Sequence, residues 1–203
     1  MLNGFVDPTG NYVASIGSDS NINIYKLINN KTSVELLTKV KFSDKKVQAD
    51  RTSMLDFQWL GDGETILLPG KTNLVFIQKD DDNEKEWGMI EEPSISHSSE
   101  ITAIKSISNE VLMTYSQGAK DIKVWRLTED GSSHLYTFKV QNPAIAIEYD
   151  SVTKCLAVMD NECKIGVCQR DLETGEEPAS QASEGIDVDE LDGFELASDM
   201  VMD

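Results

Sequence analysis

Apolar residues in this chain recur in short alternating runs instead of at helical spacing, and polar turns divide the runs at close intervals. Four stretches share one pattern: 12–27 (YVASIGSDSNINIYKL), 65–79 (TILLPGKTNLVFIQK), 111–127 (VLMTYSQGAKDIKVWRL) and 155–170 (CLAVMDNECKIGVCQR). Each is an apolar strand, a polar turn with Gly, Asp or Asn, and a second strand closing near an apolar or aromatic residue, which predicts a β-hairpin. A further alternating segment precedes each hairpin, at 2–7 (LNGFVD), 54–60 (MLDFQWL), 101–107 (ITAIKSI) and 144–150 (AIAIEYD). Turn chemistry follows the first two, in Asp7–Asn11 (DPTGN) and Gly61–Gly63 (GDG). The segments 33–42 and 132–140 read as fourth, outer strands.

If Tyr25, Ile77, Trp125 and Cys168 are equivalent, the repeat spacings are 52, 48 and 43 residues. These lie at or above the ~40–45 residues of a WD-type propeller blade, with the excess in loops. His97 stands 28 positions before Trp125, where the Gly-His and Trp-Asp marks of a WD repeat stand relative to each other. By that resemblance His97 and Trp125 brace a blade together with Thr114 or Asp121. Ser96 replaces the glycine and Arg126 the aspartate, so the repeat is degenerate.

The fold expected is all-β: a partial WD-repeat β-propeller of about four four-stranded blades in residues 1–170, with units near 1–27, 33–79, 87–127 and 132–170. Tyr25, Ile77, His97 and Trp125 are its structural anchors. A closed ring of four blades is at the lower limit for propellers. The expectation is therefore the later part of a larger propeller, with apolar surface open at one end at least.

Charge divides the chain. Of 36 acidic and 18 basic residues, 12 acidic and no basic ones fall in 171–203, leaving 24 against 18 in 1–170. Like charge with little apolar content predicts a disordered acidic tail over 171–203. Its apolar residues Ile186, Val188, Leu191, Phe194 and Leu196 form a candidate docking segment, of which Ile186, Leu191 and Phe194 are the main points, although a solvated spacer is the favoured reading. Three cysteines make no disulfide framework and suit a reducing, intracellular setting. No secretory signal or membrane-spanning run is read in the chain.

Candidate chemistry is sparse, and no catalytic, cofactor or metal residue is assigned. Gly70-Lys71-Thr72 ends like a phosphate-binding loop, but Thr65 stands where the first glycine belongs and a strand follows where a helix is needed. A nucleotide-dependent enzyme built on those residues is the alternative of a different class. Cys155, Cys163 and Cys168 lack a zinc-knuckle spacing, and buried thiols between strands are expected. Lys39, Lys41, Lys45, Lys46 and Arg51 form a basic run, a candidate partner-contact loop. On an acidic body it supports at most weak or indirect DNA binding. The acidic loop 80–92 is a second exposed candidate.

The second unit, MLDFQWLGDGETILLPGKTNLVFIQKDDDNEKEW, resembles a blade of the chromosome transmission fidelity adaptor family of the eukaryotic replication fork, whose animal members are called WD-repeat and HMG-box DNA-binding protein. The matching positions are Trp59, Gly63, Leu67-Leu68-Pro69, Leu74 to Ile77, and Trp87. The last unit and the acidic tail resemble that family's final blade and linker. The resemblance implies a nuclear, non-catalytic scaffold for protein partners that links the replicative helicase to DNA polymerase alpha-primase and supports sister-chromatid cohesion. The family's oligomerisation domain and HMG box have no counterpart in these residues. A WD-repeat scaffold of another complex, such as a ubiquitin-ligase adaptor or a ribosome-assembly factor, is the alternative within the class.

Overall fold

The computed structural model describes residues 3–17, 21–41, 57–128, 131–174 and 194–196. Every regular element among them is a strand. The first sheet holds β1 (Asn3–Val6), β2 (Tyr12–Ile16), β3 (Asn21–Ile28) and β4 (Ser33–Lys41), and the second holds β5 (Gln58–Trp59), β6 (Thr65–Pro69), β7 (Asn73–Lys79) and β8 (Trp87–Ser96). The third contains β9 (Ala103–Ser106), β10 (Val111–Ser116), β11 (Asp121–Thr128), β12 (Gly131–Val140) and, on its outer edge, β16 (Phe194–Leu196). The fourth holds β13 (Ala144–Asp150), β14 (Cys155–Asp160) and β15 (Ile165–Gln169). All pairings are antiparallel and, β16 apart, link strands consecutive in sequence, as in blades that wind outward from an axis.

Each outer strand completes the sheet of the hairpin before it. The segments 33–42 and 132–140, placed at the head of the second and fourth units by sequence, instead pair with β3 and β11. The cause is local. Asn29, Asn30 and Lys31 take φ of 51°, 55° and 68° and reverse the chain directly onto β3, left-handed conformations that Asn tolerates better than most residues. Glu91-Glu92-Pro93 breaks the alternation of β8, so the sequence pattern does not mark it as a strand. Its pairing with β7 is irregular, jumping from Glu92 to Ser96 between Leu74 and Asn73, and a bulged strand tolerates proline.

Three apolar clusters fill the gaps between consecutive sheets. Ile22, Ile24, Trp59, Ile66 and Ile77 belong to the first gap; Leu67, Leu74, Ile104, Leu112 and Trp125 to the second; Met113, Val124, Phe138, Leu156 and Val158 to the third. β6 and β10 are buried at every position, since each sits in a sheet covered on both sides, which explains their continuous apolar runs. No such cluster joins the first sheet to the fourth among the described residues, and both carry exposed apolar side chains, including Val6, Val34 and Leu36 on one and Ile145, Ile165 and Val167 on the other. The four blades form an arc.

Between the first two sheets Trp59 Nε1 donates to the Phe5 carbonyl at 3.2 Å, and Tyr12 and Trp59 both meet Trp87 edge to face. Gly63, at φ 70°, lies so close to Asp7 that a Cβ would stand 2.5 Å from Asp7 Oδ2. The folded body also runs past 170. Leu172 is fully buried in the third gap, its N–H donates to the Tyr149 hydroxyl at 3.2 Å, and the Glu173 carbonyl accepts from Arg126.

Candidate functional site

Two places gather polar groups: a buried hydrogen-bond chain at the second gap, and a cleft lined by the innermost strands. In the first, His97 Nδ1 lies 2.6 Å from Asp121 Oδ1 and Nε2 lies 2.7 Å from Thr114 Oγ1. Trp125 Nε1 donates to Thr114 Oγ1 at 2.8 Å. With the imidazole proton assigned to Nδ1, every group is satisfied: Trp125 donates to Thr114, Thr114 to His97, and His97 to Asp121. Lys139 Nζ stands 3.3 Å from the second Asp121 oxygen. Burial works to raise the Asp121 pKa, but the hydrogen bond and attraction from His97, with Lys139 behind them, outweigh it and hold the carboxyl below the usual carboxylate range.

The order Thr114, His97, Asp121 is that of a nucleophile, a base and an orienting carboxylate. Thr114 is 1% exposed and its oxygen already accepts from Trp125, so no substrate carbonyl reaches it. The chain is a brace. Sequence left open whether Thr114 or Asp121 joins His97 and Trp125; both do.

Of the other aligned positions, Ile77 is buried and Tyr25 and Cys168 are half-buried. Tyr25 and Trp125 each follow a register shift, at Ile24/Tyr25 and Val124/Trp125, which makes them equivalent in backbone as well as in sequence. Gly70, Lys71 and Thr72 form the turn between β6 and β7, with Gly70 N–H on the Asn73 carbonyl, so no helix N-terminus faces a phosphate there. Cys155 and Cys168 are half-buried, while Cys163 is exposed in the β14–β15 turn at φ 63°; the expectation of three buried thiols fails because that turn projects from the sheet. Lys39 and Lys41 are exposed on β4, and Lys45, Lys46 and Arg51 lie outside the described residues. In the acidic loop, Glu84 accepts from the Tyr12 hydroxyl at 3.0 Å and pairs with Lys26 at 2.5 Å, tying the second sheet to the first. Ile186, Val188 and Leu191 lie outside the described residues, and Phe194 begins β16.

The second place is a cleft of about 790 Å³ where β1, β9 and β13 approach the axis of the arc, with Gln58 of β5 at its wall. Phe5, Ile104, Ile145 and Ile147 give it an apolar lining, and Gln58, Thr102, Lys105, Gln117 and Glu148 give it polar groups. Lys105 Nζ is 2.6 Å from Glu148 Oε2, bridging the third and fourth sheets. The Tyr115 hydroxyl accepts the Ala144 N–H at 2.7 Å and fixes the start of β13; burial pushes its phenol up. Sequence reasoning missed Lys105 and Glu148. The available signal was a charge within each innermost strand, in ITAIKSI and AIAIEYD, the strands that line a propeller axis.

No protein-family model matches the chain, and comparison with curated proteins finds no match. Solved structures do match. A protein from Lactobacillus plantarum superposes with a TM-score of 0.65 at 15% identity, over 86% of this chain and 52% of its own. The fold is that of a partial β-propeller. Candidate 6-phosphogluconolactonases from Bacteroides fragilis and Bacteroides uniformis superpose with TM-scores of 0.60 and 0.62, each at 12% identity, over 82% of this chain and 52% of theirs. The chain thus spans about half the length of the structures it matches.

These matches correct the function expected from sequence. The fold read as a non-catalytic replication-fork scaffold is also the fold of two candidate 6-phosphogluconolactonases, because blade anchors specify packing and leave the axis free for chemistry. The assignments of a non-catalytic scaffold and of no enzymatic role are withdrawn on that ground.

Proposed function

We propose that the axial cleft is a small-molecule site for a hydroxylated, anionic ligand of the sugar-acid or sugar-lactone class, and that this arc supplies part of a lactone-hydrolysing centre. The observation that carries the reading is the Lys105–Glu148 pair, 2.6 Å apart in the lining of a cleft of ligand size. A lysine there meets an anionic group or a developing oxyanion, and a solvent-reached carboxylate accepts a proton from attacking water. Gln58, Thr102 and Gln117 supply the neutral donors and acceptors that hydroxyl groups need. The likeness to two candidate 6-phosphogluconolactonases supports the choice of ligand class at the level of fold.

The test is calorimetric titration with 6-phosphogluconate, followed by an assay of 6-phosphoglucono-δ-lactone hydrolysis above the spontaneous rate. Saturable binding that Lys105→Met weakens about tenfold or more, with hydrolysis lost in Glu148→Gln, is the expected result. An absence of saturable binding up to millimolar ligand overturns the reading.

A further inference from the structure

The third sheet differs from the others in carrying a fifth strand from far along the chain. β16 pairs antiparallel with β12, with Phe194 opposite Val140, Glu195 opposite Lys139 and Leu196 opposite Phe138. In backbone register, an apolar, acidic, apolar stretch of sequence is thus aligned with an apolar, basic, apolar one. Phe138 and Val140 are buried while Lys139 is exposed, so the receiving edge offers a cation between two inward-facing apolar positions. Lys139 also reaches Asp121, so its ammonium is held close to the sheet.

The neighbouring outer strands are less suited to such an addition. β8 carries Glu92, which repels an acidic strand, and Pro93, which removes one backbone donor. β15 (IGVCQ) has no basic residue. β4 does have Lys39 and Lys41, but Lys39 is flanked by Thr38 and Val40, and Lys41 is the last residue of the strand, so β4 itself presents no complete apolar, basic, apolar triplet.

We propose that the outer edge of β12 is a strand-accepting site for extended peptides with an acidic residue between two large apolar ones, and that residues 194–196 occupy it in cis. Main-chain pairing supplies the affinity and the flanking side chains the selectivity, as in other β-strand additions. A segment of the same chain acts at an effective concentration on the order of millimolar, so only a peptide presented at comparable strength displaces it.

The experiment uses the full chain and a fluorescent peptide carrying residues 190–200 (ELDGFELASDM). Fluorescence anisotropy is expected to show the peptide binding the Phe194→Asp/Leu196→Asp chain about tenfold or more tightly than the unaltered chain. A scrambled peptide should bind neither. Adding Lys139→Glu should abolish binding, and a peptide with Glu195→Lys should restore it. Equal binding to both chains, or equal binding of the scrambled peptide, overturns the proposal. Hydrogen exchange on the unaltered chain gives an independent reading: amides of 194–196 that exchange as fast as those of the free peptide also overturn it.

Discussion

His97, just past the end of β8, and Asp121, at the start of β11, meet at 2.6 Å with the imidazole wholly shut off from solvent. His97 follows β8, its N–H donates to the Thr72 carbonyl at 2.8 Å, and Asp121 opens β11. One imidazole therefore clamps the end of the second sheet to the heart of the third. Removing it by His97→Ala leaves the Thr114 hydroxyl and one Asp121 oxygen without that partner in a buried place. A buried group left unsatisfied costs about 1–3 kcal/mol, and urea unfolding should show a loss toward the upper end of that range with an unchanged m-value.

Asp121 sets an acid limit on the same clamp. Its folded pKa lies below the usual 3.8, so its contribution is fully present above that value and is lost as pH falls through the lowered one. Stability measured from pH 6 downward should decline less steeply below pH 4 in Asp121→Asn than in the unaltered chain, from a lower starting value. Parallel acid curves for the two would show that the carboxylate is not held by the imidazole.

Trp125 separates packing from hydrogen bonding. It is buried in the second gap and donates to Thr114. Trp125→Ala empties a large volume and should cost about 3–5 kcal/mol. Trp125→Phe keeps most of the packing and removes one donor, and about 1 kcal/mol is expected because Thr114 retains His97. Chemical denaturation of the two variants should show this spread; equal losses would mean that the indole N–H, not the ring, carries the stability.

What could be read from sequence was what local pattern dictates. The four hairpins stand where alternation and turn residues placed them, and His97 with Trp125 pointed to the brace because a spacing of 28 residues survives even when the flanking Gly and Asp are replaced. The unit boundaries were not legible, since alternation in 33–42 or 132–140 is the same whichever neighbour the strand pairs with. β8 was hidden by Pro93, and Leu172 was lost in an acidic stretch whose composition outweighs one buried leucine. The axial pair escaped for another reason. Lys105 and Glu148 are 43 positions apart, and only curvature of the arc brings adjacent innermost strands to ion-pair distance.

Tyr12 should report on the first gap from the alkaline side. Burial, then the hydrogen bond to Glu84 and its charge, push the phenol up from 10.0 to about 12. The folded value lies above the unfolded one, so the contribution is full below pH 10 and lost as pH rises toward 12. Ultraviolet titration should show a late tyrosinate that vanishes in Tyr12→Phe, whose stability should also fall less between pH 10 and 12. An unchanged titration curve in that variant would place the late phenol elsewhere, Tyr115 and Tyr149 being raised as well.

The exposed apolar faces of the first and fourth sheets should govern how the isolated chain behaves. Ile165 is 62% exposed on β15 and Val34 is 54% exposed on β4, in sheets that lack the cover β6 and β10 receive on both sides. In an arc these faces are not two copies of one surface, because each blade packs one side forward and the other back. Contact between chains would then join the fourth sheet of one to the first sheet of the next, a head-to-tail mode that continues until it closes. Sedimentation velocity should show weight-average mass rising with concentration, and Val34→Thr with Ile165→Thr should suppress that rise. Both sites are exposed, so each change should alter unfolding stability by no more than about 0.5 kcal/mol. Suppression by one substitution as complete as by both would support the head-to-tail mode, since blocking either face stops the chain of contacts, whereas a residual dimer in each single variant would indicate like faces pairing.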